Sequence, residues 1–453
     1  VVTFTFRNLG CAKNVVDGET MMAHLQAMGL RMVENPSRAH VIIVNTCAFI
    51  HEAKEEAIEE ILQMSQWKKR GQCRLLAVAG CFSQRYRTQA RSLMPEVDVW
   101  LSLSNWKEEL RRRLAETAPA PAASPVPPRR LTGLVATQYL KIADGCSHRC
   151  SFCAIPFIRG PYHSRPAASI IKEAQWLESR GARECILVSQ DTTYYGRDKN
   201  YSLVKLLEKL LAATSFPWIR LMYLHPRRLD RGLLRLIASE PRLCPYFDMP
   251  LQHSADPILR SMRRAPLSRD VRRLIETIRS TVAGAVLRTT FIVGYPGETE
   301  AHFKDLIRFT EWARFEKLGV FAYSAEEGTA AAGMPHRVPH AVACRRRDTL
   351  LEIQRGISRS ILAALRQTVA PVIVDRVVPS GRRGWNGEGR TRGDAPEVDG
   401  IVRIRGSGFS AGDIISVRIT GNSDYDLDAV YAPENIRRRK RSISKHATPH
   451  SSP

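Results

Sequence analysis

Apolar positions at the start of the chain come in short dense blocks separated by amphipathic stretches. Val1–Phe6 has a strand-like pattern, and Val15–Met28 follows with helical spacing. Val41-Ile42-Ile43-Val44 and Leu75-Leu76-Ala77-Val78-Ala79 are apolar throughout, with an amphipathic helix predicted between them over Glu52–Lys69. Uninterrupted blocks of this length suit strands buried on both faces, and their alternation with helices predicts a small parallel α/β domain over residues 1–116. Residues 117–130 break the pattern with Pro119, Pro121, Pro125, Pro127 and Pro128, which predicts an extended, semi-rigid linker. Strand, loop and helix then repeat over residues 131–367. Strands are expected at Tyr139–Ala143, Cys185–Ser189, Ile219–Leu224, Tyr246–Met249, Val286–Val293 and Leu318–Tyr323. Helices include Ser169–Ser179, Leu203–Ala213 and Glu300–Ala313. Six such units predict a partial TIM-type barrel with its chemistry at the strand carboxyl ends. Residues 368–432 switch to short alternating runs divided by glycines, the pattern of a small β-barrel. Residues 433–453 carry Arg437-Arg438-Arg439-Lys440-Arg441 and predict a disordered basic tail.

Cysteines turn this layout into chemistry. Cys11, Cys47 and Cys81 each fall just past an expected parallel strand, so all three belong to one edge of the sheet, where open α/β folds bind ligands. Gly10 and Gly80 stand before two of them and allow backbone to approach a bulky group. One such cysteine reads as a small buried hydrophobe; three matched ones point to a cluster. A second trio, Cys146, Cys150 and Cys153, follows Tyr139–Ala143 at x3 and x2 spacing. Three thiolates on a tight loop leave a four-iron cluster with one open iron, whereas structural zinc requires a fourth ligand such as His148 or a distant cysteine. Cys73, Cys185, Cys244 and Cys344 fit no ligand pattern. Polar groups gather at the expected strand ends of the core: Ser189–Thr193, His225-Pro226, Gln252-His253 and Gly294–Glu298. Glu298 also suits the start of a helix.

Composition narrows the setting. A chain of 453 residues exceeds one core, and ten cysteines without a visible leader or a bilayer-length apolar run suggest a cytoplasmic protein with metal or redox thiols, away from membranes. A formal charge of +23 fits polyanionic partners or simply a solvated basic surface.

Over residues 1–432 the sequence resembles the methylthiotransferases, a family of radical S-adenosylmethionine (SAM) enzymes. The likeness rests on Gly10-Cys11-Ala12-Lys13-Asn14, Asn45-Thr46-Cys47, Gly80-Cys81 and the long run Gly145-Cys146 through Cys150 to Phe152-Cys153-Ala154-Ile155-Pro156-Phe157-Ile158-Arg159-Gly160. It implies a carboxy-terminal TRAM barrel and two [4Fe-4S] clusters, one on Cys146, Cys150 and Cys153 that binds SAM, and an auxiliary one on Cys11, Cys47 and Cys81. It also implies SAM contacts from Phe152, Gln190 and Gly294, and a flavodoxin or ferredoxin as electron donor. Ser189-Gln190-Asp191-Thr192-Thr193 and the acidic stretch Arg392–Gly400 resemble the branch that modifies an aspartate of ribosomal protein S-twelve, alone or in the assembling small subunit. Acidic residues there would suit docking of a basic protein. The competing readings are a transfer-RNA adenosine methylthiotransferase and a zinc-bearing RNA-binding protein.

Overall fold

The computed structural model describes residues 1–116, 126–378 and 384–433; the basic tail and most of the proline-rich stretch lie outside the described residues. The chain opens with β1 (Thr3–Asn8), α1 (Ala12–Ala27), β2 (Arg31–Met32), β3 (Val41–Thr46), α2 (His51–Ser65), α3 (Trp67–Arg70), β4 (Leu75–Ala79), α4 (Gly80–Leu93), β5 (Val99–Trp100) and α5 (Trp106–Ala115). The strands form a parallel sheet in the order β2-β1-β3-β4-β5. β3 and β4 are buried at every residue, because α1 and α5 cover one face and α2 and α4 the other. The expected helix Glu52–Lys69 is two helices. It restarts at Gln66, whose carbonyl accepts from the amides of Lys69 at 3.1 Å and Arg70 at 2.9 Å.

The next unit runs β6 (Thr137–Lys141), β7 (Ala143–Asp144), α6 (Ile155–Arg159), β8 (His163–Ser164), α7 (Ala167–Ser179), β9 (Glu184–Val188), α8 (Leu203–Ala213), β10 (Trp218–Leu221), α9 (Arg231–Ser239), β11 (Tyr246–Asp248), α10 (Asp256–Ser261), α11 (Ser268–Thr281), β12 (Val286–Val293), α12 (Glu300–Ala313), β13 (Lys317–Ala322) and α13 (His340–Ala363). β6-β9-β10 and β11-β12-β13 are two parallel triplets. Bonds from Ile219 N to Arg242 O and Cys244 N to Ile219 O, both 2.8 Å, stitch one triplet to the other. Outward-facing Leu140, Leu187, Leu221, Phe247 and Phe291 bury against the surrounding helices in one core. The amino-terminal unit grips both ends of this strand row. Asp17 of α1 pairs with Lys141 of β6, while Lys54 and Arg85 reach Glu326 past β13 at 3.0 and 2.9 Å. The end of the proline-rich stretch is pinned as well, since buried Arg129 meets Glu19 at 3.1 Å and Glu173 at 3.0 Å. No helix among the described residues is long and apolar enough to cross a membrane.

β14 (Val369–Val377), β15 (Gly387–Thr391), β16 (Val402–Arg405), β17 (Ile414–Asn422) and β18 (Leu427–Tyr431) close into a barrel in the order β14-β15-β16-β18-β17. The stretch after β15 packs into the strand row of the core. Glu184 on β9 meets Arg220 of β10 at 2.8 Å and Arg390 of β15 at 2.9 Å, with all three buried. Lys317 of β13 holds Asp394 at 2.6 Å, and Asp399 accepts from Tyr246 Oη at 2.7 Å and pairs with Arg288 at 3.5 Å. Thr137, Glu184, Tyr246 and Lys317 are the first residues of their strands, so the 390–399 segment plugs the amino-terminal mouth of the row. This corrects the docking role expected for the acidic stretch Arg392–Gly400: Asp394 and Asp399 are already neutralised within the chain. The expectation missed pairings spanning 77 residues for Asp394 and 153 for Asp399, which no local pattern reveals.

Candidate metal centre

The first cysteine trio is assembled by three strand ends. Cys11 is the N-cap of α1, Cys47 follows β3, and Cys81 is the second residue of α4. Gly10 has φ of +94°, and a Cβ there would stand 2.9 Å from Cys47 Cβ and 3.3 Å from its Sγ. Side-chain amides tie the loops together. Asn14 Nδ2 donates to Leu9 O and Thr46 O, each at 3.0 Å. Asn45 Nδ2 donates to Asn8 Oδ1 at 2.7 Å and to Asn14 O at 2.9 Å. Burial pushes the Cys47 thiol up to about 11, and the neighbouring Cys81 and Cys11 add to it. Burial likewise raises Cys81, partly offset by Arg159. At Cys11 burial also raises the thiol, but Lys13 and Arg159 outweigh it and the net shift is downward.

The second trio lies on the loop between β7 and α6. Cys146 N bonds Gly160 O at 3.0 Å, and Ser151 fastens the loop to the end of α10 through Met262 O at 3.1 Å and Ser261 O at 2.8 Å. His148 Nε2 lies 2.7 Å from Asp191 Oδ2, and its ring stacks on His225 at 4.5 Å. Arg264 Nη1 reaches Cys150 Sγ at 3.8 Å. Burial raises Cys146 to about 11 and Cys153 to about 12, with mutual repulsion among the three adding to both. Such thiols ionise readily only against a cationic partner, which is the donor chemistry of an iron–sulfur core. Among the described residues no three side chains converge as ligands of one ion would. A cluster instead takes its thiolates at separate corners.

Gly145 makes a direct test of this loop. Its φ is +73°, and a Cβ would come 2.1 Å from Pro161 O. The Gly145→Ala substitution adds about 1–2 kcal/mol from the backbone conformation alone, before the clash. We expect iron bound at this trio to be lost while the circular dichroism of the chain is preserved; wild-type iron content in G145A would refute the assignment.

One short helix brings the two trios together. Ala154 and Ile158, at the start and within α6, share an apolar cluster with Cys81 and Phe82. Arg159 closes the helix and donates to Asn14 Oδ1 at 2.7 Å, Asp17 Oδ2 at 3.0 Å and Asp144 Oδ1 at 3.0 Å. Burial would raise the Asp144 carboxyl, yet Lys141 and Arg159 hold it well below the usual range. Lys13 is buried with its Nζ 3.5 Å from the Tyr223 ring centroid. Lys13, Asn14, Asp17 and Arg159 were not singled out as functional from the sequence, although three of them stand inside two of the four quoted cysteine motifs.

The residues expected to touch SAM separate. Phe152 is half-buried against the cluster of Ile258, Met262 and Tyr295. Gln190 follows β9, and its Oε1 is buried without a partner among the described residues. His253 Nε2 and Ser254 Oγ past β11 are in the same condition. Buried polar atoms without partners are costly, so these three favour a polar ligand at the strand ends. Gly294 follows β12, but its amide is taken by Glu298 Oε2, and a Cβ would meet Ala343 Cβ of α13 at 2.3 Å. Its glycine is explained by packing. Glu298 precedes the N-cap Thr299, so it is not a helix-start residue; it bonds the Gly294 and Tyr295 amides and pairs with Arg346 at 3.0 Å. A cavity of about 650 Å³ lined by Asp17, Trp106, Lys141, Arg165 and Trp176 involves none of the six cysteines.

Each of the three units matches a family model. Residues 3–102 match the model of Uncharacterized protein family UPF0004, residues 140–310 the Radical SAM superfamily, and residues 368–431 the TRAM domain. The chain is 42% identical to the ribosomal protein uS12 methylthiotransferase RimO of Desulforudis audaxviator, over 93% of this chain and 95% of that one. It is 43% identical to the same-named protein of Syntrophobacter fumaroxidans, over 93% and 97% respectively. Among solved structures, the radical SAM methyltransferase TsrM of Kitasatospora setae superposes with a TM-score of 0.54 at 14% identity, over 83% of this chain and 79% of that one, a likeness of fold. With 42–43% identity over 93% of its length, the chain belongs to the family of ribosomal protein uS12 methylthiotransferases within the radical SAM superfamily.

Proposed function

We propose that this chain replaces a hydrogen on the β-carbon of an aspartate in ribosomal protein uS12 by a methylthio group. Cys146, Cys150 and Cys153 would hold one [4Fe-4S] cluster with an iron left for SAM, and Cys11, Cys47 and Cys81 a second. When bound, these groups supply the one-electron chemistry, the radical that an unactivated C–H bond demands, and the sulfur and methyl group that replace the hydrogen. The packing of α6 is the observation that carries the reading, because the helix that follows Cys153 shares an apolar cluster with Cys81 of the other trio.

The chain's own residues bind and orient. Asn14 and Asn45 hold the three loops of the first trio in register. Arg159 answers the charge of Asp17 and Asp144 and lies beside Cys11 and Cys81, so thiolate charge gathers around a buried cation. Asp191 fixes the His148 ring and thereby the loop between Cys146 and Cys150. Gln190 and Phe152 offer a polar atom and an aromatic face for the sulfonium nucleoside, while Gly294 lets the loop after β12 turn against α13. A target side chain must enter where the strand carboxyl ends face the amino-terminal unit.

The test is anaerobic: reconstituted enzyme, SAM, dithionite and purified uS12, with unmodified transfer RNA offered in parallel. We expect a gain of about 46 Da, the exchange of H for SCH3, on an aspartate of the protein. A gain on RNA alone would transfer the chain to the nucleic-acid branch, and bound zinc with no SAM cleavage would end the radical reading.

A further inference from the structure

Lys13 lies where the amino-terminal unit meets the core, and the fold leaves its charge unanswered. It stands in the first turn of α1, two residues after Cys11, and is only 8% exposed. Half-buried Lys141 and Lys317 each pair with a carboxylate, Asp17 and Asp394 respectively. Lys13 is more deeply buried, yet among the described residues it has no hydrogen-bond acceptor and no carboxylate within ion-pair distance. What faces its Nζ is the Tyr223 ring, whose centroid is 3.5 Å away. The other ionisable groups close enough to act on it are Cys11, Arg159 and Asp248. Asp248 is engaged elsewhere: its Oδ1 accepts from Arg288 Nη1 at 2.8 Å and its Oδ2 from the Tyr223 amide at 3.0 Å. Tyr223 itself is held at φ of +59°, a conformation that side chains other than glycine rarely adopt, and its carbonyl accepts from the Thr192 amide at 3.0 Å. Backbone strain of this kind concentrates at binding sites. Tyr223 follows β10 and Asp248 ends β11, so the lysine reaches the carboxyl edge of the strand row, where such folds bind their ligands.

We propose that Lys13 binds the side-chain carboxylate of the aspartate that this enzyme modifies. The inference rests on the function proposed above and deepens it. An ammonium carries three donors, and an aromatic face covers only one side of it. A buried cation without an opposite charge is costly, so this position favours an anionic partner. In aspartate the reacting β-carbon is bonded directly to the carboxyl carbon. An ion pair at the carboxylate therefore holds the β-carbon one bond from a fixed point. Lys13 makes and breaks no bond; it orients the carbon that reacts. The same pairing sets specificity. Asparagine offers only a neutral amide, glutamate would bring its γ-carbon to the reacting position, and a nucleobase has no carboxylate. Two observations favour the substrate over thiolate charge as the anion. Buried Arg159 already lies beside both Cys11 and Cys81. Lys13 reaches instead to Tyr223, a residue of the core unit.

The experiment uses the reconstituted full chain with SAM and no reductant, so that binding is read without turnover. The probes are purified uS12 and the same protein with its target aspartate, located by the mass measurement above, replaced by asparagine. Wild type is expected to bind the aspartate form at least about tenfold more tightly than the asparagine form. Lys13→Met is expected to bind the two forms alike, and Lys13→Arg to restore part of the preference. Iron should stay at about eight atoms per chain in both variants. A wild type indifferent to the asparagine exchange would overturn the proposal, whatever the variants do. A Lys13→Met protein that kept the preference would overturn it as well. Iron falling to about four atoms in Lys13→Met would overturn it by assigning the charge to the cluster on Cys11. Methylthiolation of RNA with no binding of uS12 would reject the function itself, and this proposal with it.

Discussion

The Cys11→Ala protein, reconstituted with iron and sulfide, is expected to cleave SAM yet form no methylthio product, whereas Cys146→Ala is expected to do neither. The two trios sit on different units: one on three strand ends of the amino-terminal sheet, the other on a single loop of the core. Removing one thiol from the first leaves the second loop, with its Ser151 anchors and His148–Asp191 bond, untouched. Iron should fall from about eight to about four atoms per chain in either variant, because each four-iron cluster needs its cysteines. The discriminating readouts are 5′-deoxyadenosine and the mass of uS12, measured in the same reaction. If Cys11→Ala still made the full product, the first trio would be structural and its shared edge a coincidence of fold. If Cys11→Ala lost SAM cleavage as completely as Cys146→Ala, the two trios would form one inseparable unit.

Glu184→Ala should be the most destabilising single change outside the cysteines. The carboxylate is fully buried and answers Arg220 at 2.8 Å and Arg390 at 2.9 Å. Arg390 retains Asp375 at 2.7 Å, but among the described residues Arg220 keeps only the Arg392 carbonyl and the Tyr246 ring. An uncompensated buried cation of this kind costs about 3–5 kcal/mol. The thermal midpoint should drop accordingly, and limited proteolysis should release the carboxy-terminal barrel early. A midpoint within a degree of wild type would refute the claim that this ion pair holds the plug. The pH dependence has a fixed sign. Burial raises the Glu184 carboxyl, Arg220 and Arg390 lower it, and the net folded value is depressed. Its contribution is therefore complete above the unfolded value of about 4.3 and is lost as pH falls through the lower folded one. The gap between wild type and Glu184→Gln should close at acid pH and stay constant near neutrality.

Local patterns revealed the elements and which strand ends carry cysteines; long-range pairing remained hidden. Leu75–Ala79 and Val286–Val293 were bounded correctly because an apolar block, or a run dense in β-branched and aromatic residues, leaves little choice of strand. β2 and β5 contain two residues each and give no periodic signal, so the sheet has two more strands than the pattern suggested. The cysteines were legible because strand-end position is itself a local property that topology converts into proximity. Arg159 was quoted within a motif, but its meeting with Asp17 and Asn14 spans more than 140 residues. The acidic stretch after β15 was misread for the same reason. Charge in a sequence announces a partner without saying whether that partner lies on another molecule.

The plug formed by residues 390–399 has a consequence for biosynthesis. Ribosomes make the chain from its amino terminus, and domains generally fold in that order. The sheet bearing Cys11, Cys47 and Cys81 and the strand row bearing Cys146 are complete before Arg390, Asp394 and Asp399 emerge. Until then Glu184 and Arg220 face an open mouth that water can enter. The last translated domain thus acts as the closing stroke of folding, and a nascent chain stalled before residue 390 would carry every cysteine of both trios while the strand row of the core is still open at its amino-terminal mouth.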